Sequence, residues 1–385
     1  GLPGGPLPGG QEPGPGEPDP SWPEPPPGGR DEPDPFDANG FVICGDGTDF
    51  ATLLELGLGE PEVRDGYFVL EPGDEQPVDQ MLLDWLILAL ADACVEPDWR
   101  MRPPEGLQSN RIIVGSELGR SYVPQPALRQ IAAEPAQRIA TGRGVVVAII
   151  DTGVDATHSA LAGYVLPGAD FVTPGSDGSD VADLIDSDFD GEIDEMFGHG
   201  TIVAGLLRLV APDARILPVR ALDSDGLGSA SSVADAVRFA RESGAHVINM
   251  SLGMRAHSTL VEHEIRLAIE SGIVVVAASG NEGRRGVDFP ASVDGVVAAT
   301  AYGRTGRRAG FANGTGDSGV VAPGRGLIGP YPGETWARAT GTSFSAALVS
   351  GAAALLREHE PGLSAPDATE RLTRFTRLRL PRILR

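Results

Sequence analysis

From residue 119 onward the sequence predicts an α/β fold, a three-layer sandwich in which a mainly parallel sheet is covered by helices on both faces. Three observations carry that expectation. Short unbroken apolar runs alternate with stretches of helical spacing. The runs lack the polar alternation of a half-exposed strand, so they read as strands buried on both faces. Residues able to do chemistry stand directly after the runs, where open parallel sheets place their ligands.

Val145 to Ile150 reads as the first buried strand, and Arg215 to Arg220, His246 to Met250, Ile273 to Ala277 and Val296 to Ala298 as further ones. Ser231 to Glu242, Leu260 to Ser271 and Ser343 to Arg357 have helical spacing, the last rich in small residues. This unit is expected to span residues 119–385. Ahead of it, residues 36–118 read as a small α+β region. Phe41 to Cys44 and Tyr67 to Leu70 look like strands, and Phe50 to Leu58 and Val78 to Cys94 like helices. Residues 1–35 hold 13 Pro and 9 Gly. Such a segment has little to bury and is expected to be a disordered acidic tail.

The chain has 385 residues and a formal net charge of -24. Residues 1–100 carry 22 acidic side chains and 3 arginines, against 32 acidic and 27 basic in the remainder. The acidity therefore belongs to the front. No basic face suited to nucleic acid stands out. The longest apolar run, Met81 to Val95, is interrupted by Asp84 and Asp92 and is too short to span a bilayer. Two cysteines, Cys44 and Cys94, are too few for a disulfide framework, and sequence leaves their pairing open.

Asp151 follows the first strand in Asp151-Thr152-Gly153. His199 opens an apolar helix in His199-Gly200-Thr201. Ser343 opens the long small-residue helix in Gly341-Thr342-Ser343. Asn281 follows the strand Ile273–Ala277 in Ser279-Gly280-Asn281. A serine hydroxyl needs an adjacent base to act as a nucleophile. An imidazole can take its proton, and a buried carboxylate can fix the ring's tautomer. An amide donor completes a hole for a tetrahedral oxygen. Each motif alone fits a tight turn, a core histidine or a helix cap. Four of them together, in this order, resemble the subtilisin family of serine peptidases (subtilases).

The resemblance covers roughly residues 119–370 and implies a seven-stranded sheet and peptide-bond hydrolysis through an acyl-enzyme. It assigns Ser343 as nucleophile, His199 as general base and then acid, Asp151 as orienter, and Asn281 as oxyanion donor. No cofactor is implied for catalysis. Polypeptides are the implied substrates. Ser251, Leu252 and Gly253, with Gly226 and Gly228 opposite, resemble the walls of the peptide groove, and Ala278, Ser279 and Gly280 inherit substrate contacts. The sequence departs from the family where Phe344, Ser345 and Ala347 replace its usual Met, Ala and Pro, and where Ile202 replaces a frequent His. A catalytically silent, peptide-binding protein of the same fold is the alternative; it would need none of the four catalytic residues.

Residues 177–195 hold nine acidic side chains and no basic one. Asp186 to Asp194 matches the first nine positions of an EF-hand loop, with Phe197 at the twelfth, where a bidentate Glu is expected. Asp186, Asp188, Asp190 and Asp194 are therefore candidate ligands of a structural Ca²⁺, with Glu195 a substitute for the missing carboxylate; the alternative is a solvated acidic loop.

Val95 to Trp99 resembles the end of a subtilase pro-segment, running toward the groove. Residues 36–118 are then either an intramolecular inhibitor or an accessory domain. The six arginines of residues 371–385 read as the surface of a last helix with a frayed end. A monomer in a secreted or extracytoplasmic location is expected, with no signal peptide visible after Gly1.

Overall fold

The computed structural model describes residues 38–44, 61–64, 67–71, 82–83, 86–87, 90, 94–107, 112–303, 306–315 and 319–385. The expected tail of residues 1–35 and the expected helix Phe50–Leu58 lie outside the described residues.

The N-terminal strands are β1 (Ala38–Cys44), β2 (Glu62–Arg64), β3 (Tyr67–Leu70) and β4 (Cys94–Met101). They pair antiparallel. Leu82, Leu83, Leu86 and Ile87 are helical, as the Val78–Cys94 stretch predicts. That helix cannot reach Cys94, because Cys94 opens β4 and pairs with Cys44 across the ladder. The two cysteines form a disulfide. Phe41, Ile43, Phe68, Leu70, Leu86 and Leu90 make a small core of their own.

In the larger unit β5 (Ile112–Val114) precedes β6 (Val146–Asp151), β7 (Ala169–Asp170), β8 (Arg215–Arg220), β9 (Gly228–Ser229), β10 (Val247–Met250), β11 (Val274–Ala278), β12 (Val297–Tyr302) and β13 (Gly319–Pro323). Last come β14 (Leu327–Tyr331) and β15 (Thr335–Ala339). The central sheet has seven strands in the order β13-β12-β11-β10-β6-β8-β7, all parallel. Strand β5, which the sequence assigns to the N-terminal region of residues 36–118, instead joins β14 and β15 in a separate antiparallel sheet, because its partner is β15.

Four long helices cover the sheet: α1 (His199–Val210), α2 (Ala230–Glu242), α3 (Thr259–Glu270) and α4 (Thr342–His359). Alternate residues of each strand face opposite layers. Val147, Ile149, Val274 and Val276 pack against α1 and α4, while Ala148, Ile150, Val275 and Ala277 pack with residues of α2 and α3. This is why the strands are apolar without a break. Val42, Tyr67, Val69 and Met101 join the α2/α3 layer, so the N-terminal unit docks on that face. The chain's end is packed rather than frayed, with Leu378, Leu380, Ile383 and Leu384 buried in the α1/α4 layer.

The helix starts fall into two kinds. Helices α2 and α3 are capped by their own Ser229 and Ser258 side chains. Helices α1 and α4 begin at Gly198 and Gly341 without a side-chain cap. Their first amides stay open to other partners, and these two helices carry His199 and Ser343.

Candidate active site

Asp151 ends β6 and His199 starts α1, and both are fully buried. Asp151 Oδ1 accepts from His199 Nδ1 at 2.7 Å and from the Thr152 amide at 2.8 Å. The carboxylate thus fixes the ring and leaves Nε2 facing Ser343's side of the site. Gly200 lets the helix approach this closely, since a Cβ there would collide with the Gly153 carbonyl. Phe344 lies against the imidazole with ring centroids 5.2 Å apart. Ile202 is buried in the core, as packing alone requires.

Asp180 is a residue that sequence reasoning missed. It is buried and serves the open start of α1, with Oδ1 accepting from the Gly198 amide at 3.1 Å and Oδ2 from Thr201 Oγ1 at 2.6 Å. Burial pushes its carboxyl up to about 7, against the pull of those hydrogen bonds.

Asn281 follows β11 and faces the start of α4. Its Oδ1 accepts the Thr342 amide at 3.0 Å, which turns Nδ2 toward Ser343. Ser251 Oγ donates to the Ser343 carbonyl at 3.1 Å. The Asp, His, Ser and Asn side chains of the four motifs therefore come to one place, from four strand or helix ends.

A fifth residue stands among them. Glu105 lies in the short 3₁₀ turn Pro104–Leu107 and is 3% exposed. Its Oε2 accepts from Ser343 Oγ at 2.6 Å and lies 3.4 Å from His199 Nε2. Its Oε1 accepts from Asn281 Nδ2 at 2.9 Å and from the Ser343 amide at 3.4 Å. Ser343 and His199 are thus joined through a shared carboxylate oxygen of Glu105. Burial lowers the affinity of His199 for a proton, but the Asp151 and Glu105 carboxylates outweigh it and raise the imidazole to about 10. The two carboxylates together favour the protonated ring over the neutral one.

The expected groove walls flank the segment that leads to Glu105. Arg100 and Met101 pair with Ser229 and Gly228. Arg102 N donates to the Gly253 carbonyl at 3.2 Å, and Gly253 N donates to the Arg102 carbonyl at 2.8 Å. Gly226 adopts φ 83°, and a Cβ there would press on Pro103. Gly280, with φ 105°, sits under the Thr342 hydroxyl, its amide donating to Oγ1 at 3.3 Å. Leu252, Ala278 and Ser279 are buried beside these residues. Two carboxylates of β4 hold the segment's base. Asp98 accepts the Ser231 amide at 2.8 Å and Ser231 Oγ at 2.7 Å, at the start of α2. Glu96 accepts the Thr259 amide at 2.7 Å and Ser258 Oγ at 2.7 Å, at the start of α3.

In the acidic loop, Asp186, Asp188 and Asp190 bring ligand oxygens within 4.8 Å of one another. Asp194, expected as a fourth ligand, stands outside that group. It adopts φ 57° and folds back, so that Oδ1 accepts the Asp183 amide at 3.0 Å and the Leu184 amide at 3.2 Å. Asp188 Oδ2 also lies 3.8 Å from the Arg102 guanidinium.

The subtilase family pattern matches residues 142–377, and the chain belongs to that family. It is 41% identical over 223 residues to a thermophilic serine proteinase of Bacillus sp. (strain AK1), covering 55% of this chain and 52% of that protein, so it spans about half of that relative's length. It is 36% identical over 251 residues to subtilisin BL of Lederbergia lenta, covering 63% of this chain and 87% of the relative. Among solved structures it resembles fervidolysin of Fervidobacterium pennivorans, a keratinolytic enzyme related to subtilisin, with a TM-score of 0.72 at 24% identity over 92% of this chain and 62% of that one. That last likeness is one of fold.

Proposed function

We propose that this chain is a serine endopeptidase that works through an acyl-enzyme. The observation that carries this reading is the convergence of Ser343 Oγ, His199 Nε2, Asn281 Nδ2 and the Ser343 amide on one carboxylate, that of Glu105. Glu105 stands in for the carbonyl group of a substrate. With a peptide there, Ser343 Oγ bonds to the carbonyl carbon and its proton passes to His199 Nε2. The carbonyl oxygen becomes an oxyanion held by Asn281 Nδ2 and the Ser343 amide. The C–N bond then breaks, with His199 returning the proton to the leaving amine. Water repeats the sequence to free Ser343. Asp151 holds the ring throughout and balances its charge. With each chain first cleaved ahead of residue 119 by an added protease that is then removed, hydrolysis of labelled casein that is lost in Ser343→Ala and reduced about 10⁴-fold in Asp151→Asn supports the reading. Equal hydrolysis by wild type and Ser343→Ala refutes it.

We further propose that residues 36–118 form an intramolecular inhibitor, because the end of β4 and Arg102 lie between the expected groove walls. The Cys44–Cys94 disulfide supports a secreted or extracytoplasmic location. One chain supplies every site residue, which supports action as a monomer. The oxygen donors of Asp186, Asp188 and Asp190 suit Ca²⁺, which would tie down the acidic loop; they match EF-hand positions 1, 3 and 5, with Gly191 at 6 taking φ 91°. Chelator then lowers Tm, and Asp188→Ala abolishes that sensitivity; an unchanged Tm removes calcium from the account.

A further inference from the structure

We propose that the side-chain carboxylate of Glu105 is the group that holds the active centre shut, so that the N-terminal segment inhibits as an uncleaved decoy. The proposal rests on the peptidase reading above and names how that site is regulated.

The path of the segment explains the need for such a group. Arg100 to Arg102 runs extended between Gly228-Ser229 and Gly253, with both hydrogen bonds to Gly253 formed as an added strand would form them. An extended peptide continuing on that course would bring its next carbonyls to Ser343. Here Pro103 and Pro104 follow, and the backbone turns into the 3₁₀ turn Pro104–Leu107. The Glu105 side chain takes the place of a reacting carbonyl.

A carboxylate fits that place and resists reaction there. Its two oxygens meet the two kinds of donor that the centre offers an oxyanion, the Asn281 amide and the Ser343 backbone N–H, while Oε2 takes the hydrogen of Ser343 Oγ. Its carbon carries delocalised negative charge and no leaving group, so Oγ has nothing to displace. The hydroxyl donates to Glu105 rather than to His199, and the imidazole faces an anion 3.4 Å away. The raised proton affinity of His199 is consistent with this pairing, since a protonated ring cannot act as base. Gly341 provides the room, for a Cβ at that position would collide with Glu105 Oε1.

The test is the rate at which a fluorophosphonate probe labels Ser343 in the intact chain, with chain integrity followed by mass and Ser343→Ala as the blank. Wild type labels slowly. Glu105→Gln keeps the shape but not the charge, and Glu105→Asp keeps the charge but is one methylene short. Both label at least about tenfold faster, the loss expected when charge-assisted hydrogen bonds are removed. Glu105→Ala behaves like them, and a single cooperative thermal transition, even at a lower Tm, shows that the fold survives. If the variants and wild type label at the same slow rate, while chain cleaved ahead of residue 119 labels fast, the N-terminal region inhibits by another group and the proposal falls alone. If wild type labels as fast as the variants, the centre is open and the proposal falls. If no form labels, the peptidase reading falls with it.

Discussion

Replacing Asn281 by leucine removes two functions at once, the proposed oxyanion donor and the acceptor for the Thr342 amide. Nδ2 donates to Glu105 Oε1 at 2.9 Å, in the place proposed for the oxyanion, and Asn281 is 1% exposed, so the donor lies in a buried site. Removing one such donor costs roughly 10²–10³ in kcat, or about 2.7–4 kcal/mol of transition-state stabilisation. Oδ1 accepts the Thr342 amide at 3.0 Å, at a helix start that has no cap of its own. Orphaning that buried N–H costs about 1–3 kcal/mol of stability, a fall in Tm of several degrees for a domain of this size. In a Glu105→Ala background, which removes the carboxylate that Nδ2 faces, Asn281→Asp retains Oδ1 and so restores much of the Tm, yet it places an anion where Nδ2 was and does not restore kcat. The assay is steady-state hydrolysis of a peptide amide, with rates referred to the concentration of titratable Ser343, beside a thermal melt. Asn281→Leu with kcat within threefold of wild type, or a loss confined to KM, would refute the oxyanion assignment.

Three further outcomes follow from named contacts. The folded His199 pKa of about 10 lies above its usual value near 6.5, so its contribution to stability is full below about pH 6.5 and is lost as pH rises through 10. Melts of the full chain from pH 6 to 10 should show a decline that is smaller in Glu105→Gln, and identical profiles would contradict the His199–Glu105 pairing. Glu96→Ala removes a carboxylate from three donors at the start of α3. It should loosen the docked segment by about 1–2 kcal/mol, read as roughly tenfold faster probe labelling of Ser343. The Cys44–Cys94 disulfide closes a span of 50 residues, which the loop-entropy account values at about 4 kcal/mol. Reductant should therefore make the N-terminal unit sensitive to added protease before the rest of the chain; simultaneous loss of both would contradict its separate core.

Much of the large unit was legible because each strand is buried on both faces and so carries an unbroken apolar run. Asp151, His199, Asn281 and Ser343 were legible because each stands in a short motif at a strand or helix end. Glu105 was not. Nothing in Pro103-Pro104-Glu105-Gly106 distinguishes it from a surface turn, and its role arises from the path of β4 across the groove, a tertiary fact. The resemblance of Val95 to Trp99 to a segment nearing the groove was the available signal. Asp180 escaped notice for a similar reason, since it sits in an acidic stretch whose other members are not buried, and only the fold buries it beneath α1. Asp194 matched an EF-hand position by spacing, but the loop turns at φ 57° and spends its oxygen on the Asp183 and Leu184 amides. Cys94 ended an apolar helical pattern in sequence, yet its pairing with Cys44 made it the start of a strand.

Trapping the covalent intermediate reaches the chemistry most directly. Glu105→Ala chain turning over an activated ester is quenched in acid, and the acylated residue is located by peptide mass spectrometry. The acyl group should sit on Ser343 alone, in an amount matching the initial burst of released alcohol, and should vanish in Ser343→Ala. An acyl group on another side chain, or turnover with no acylated protein at any time, would contradict a nucleophilic serine at the start of α4.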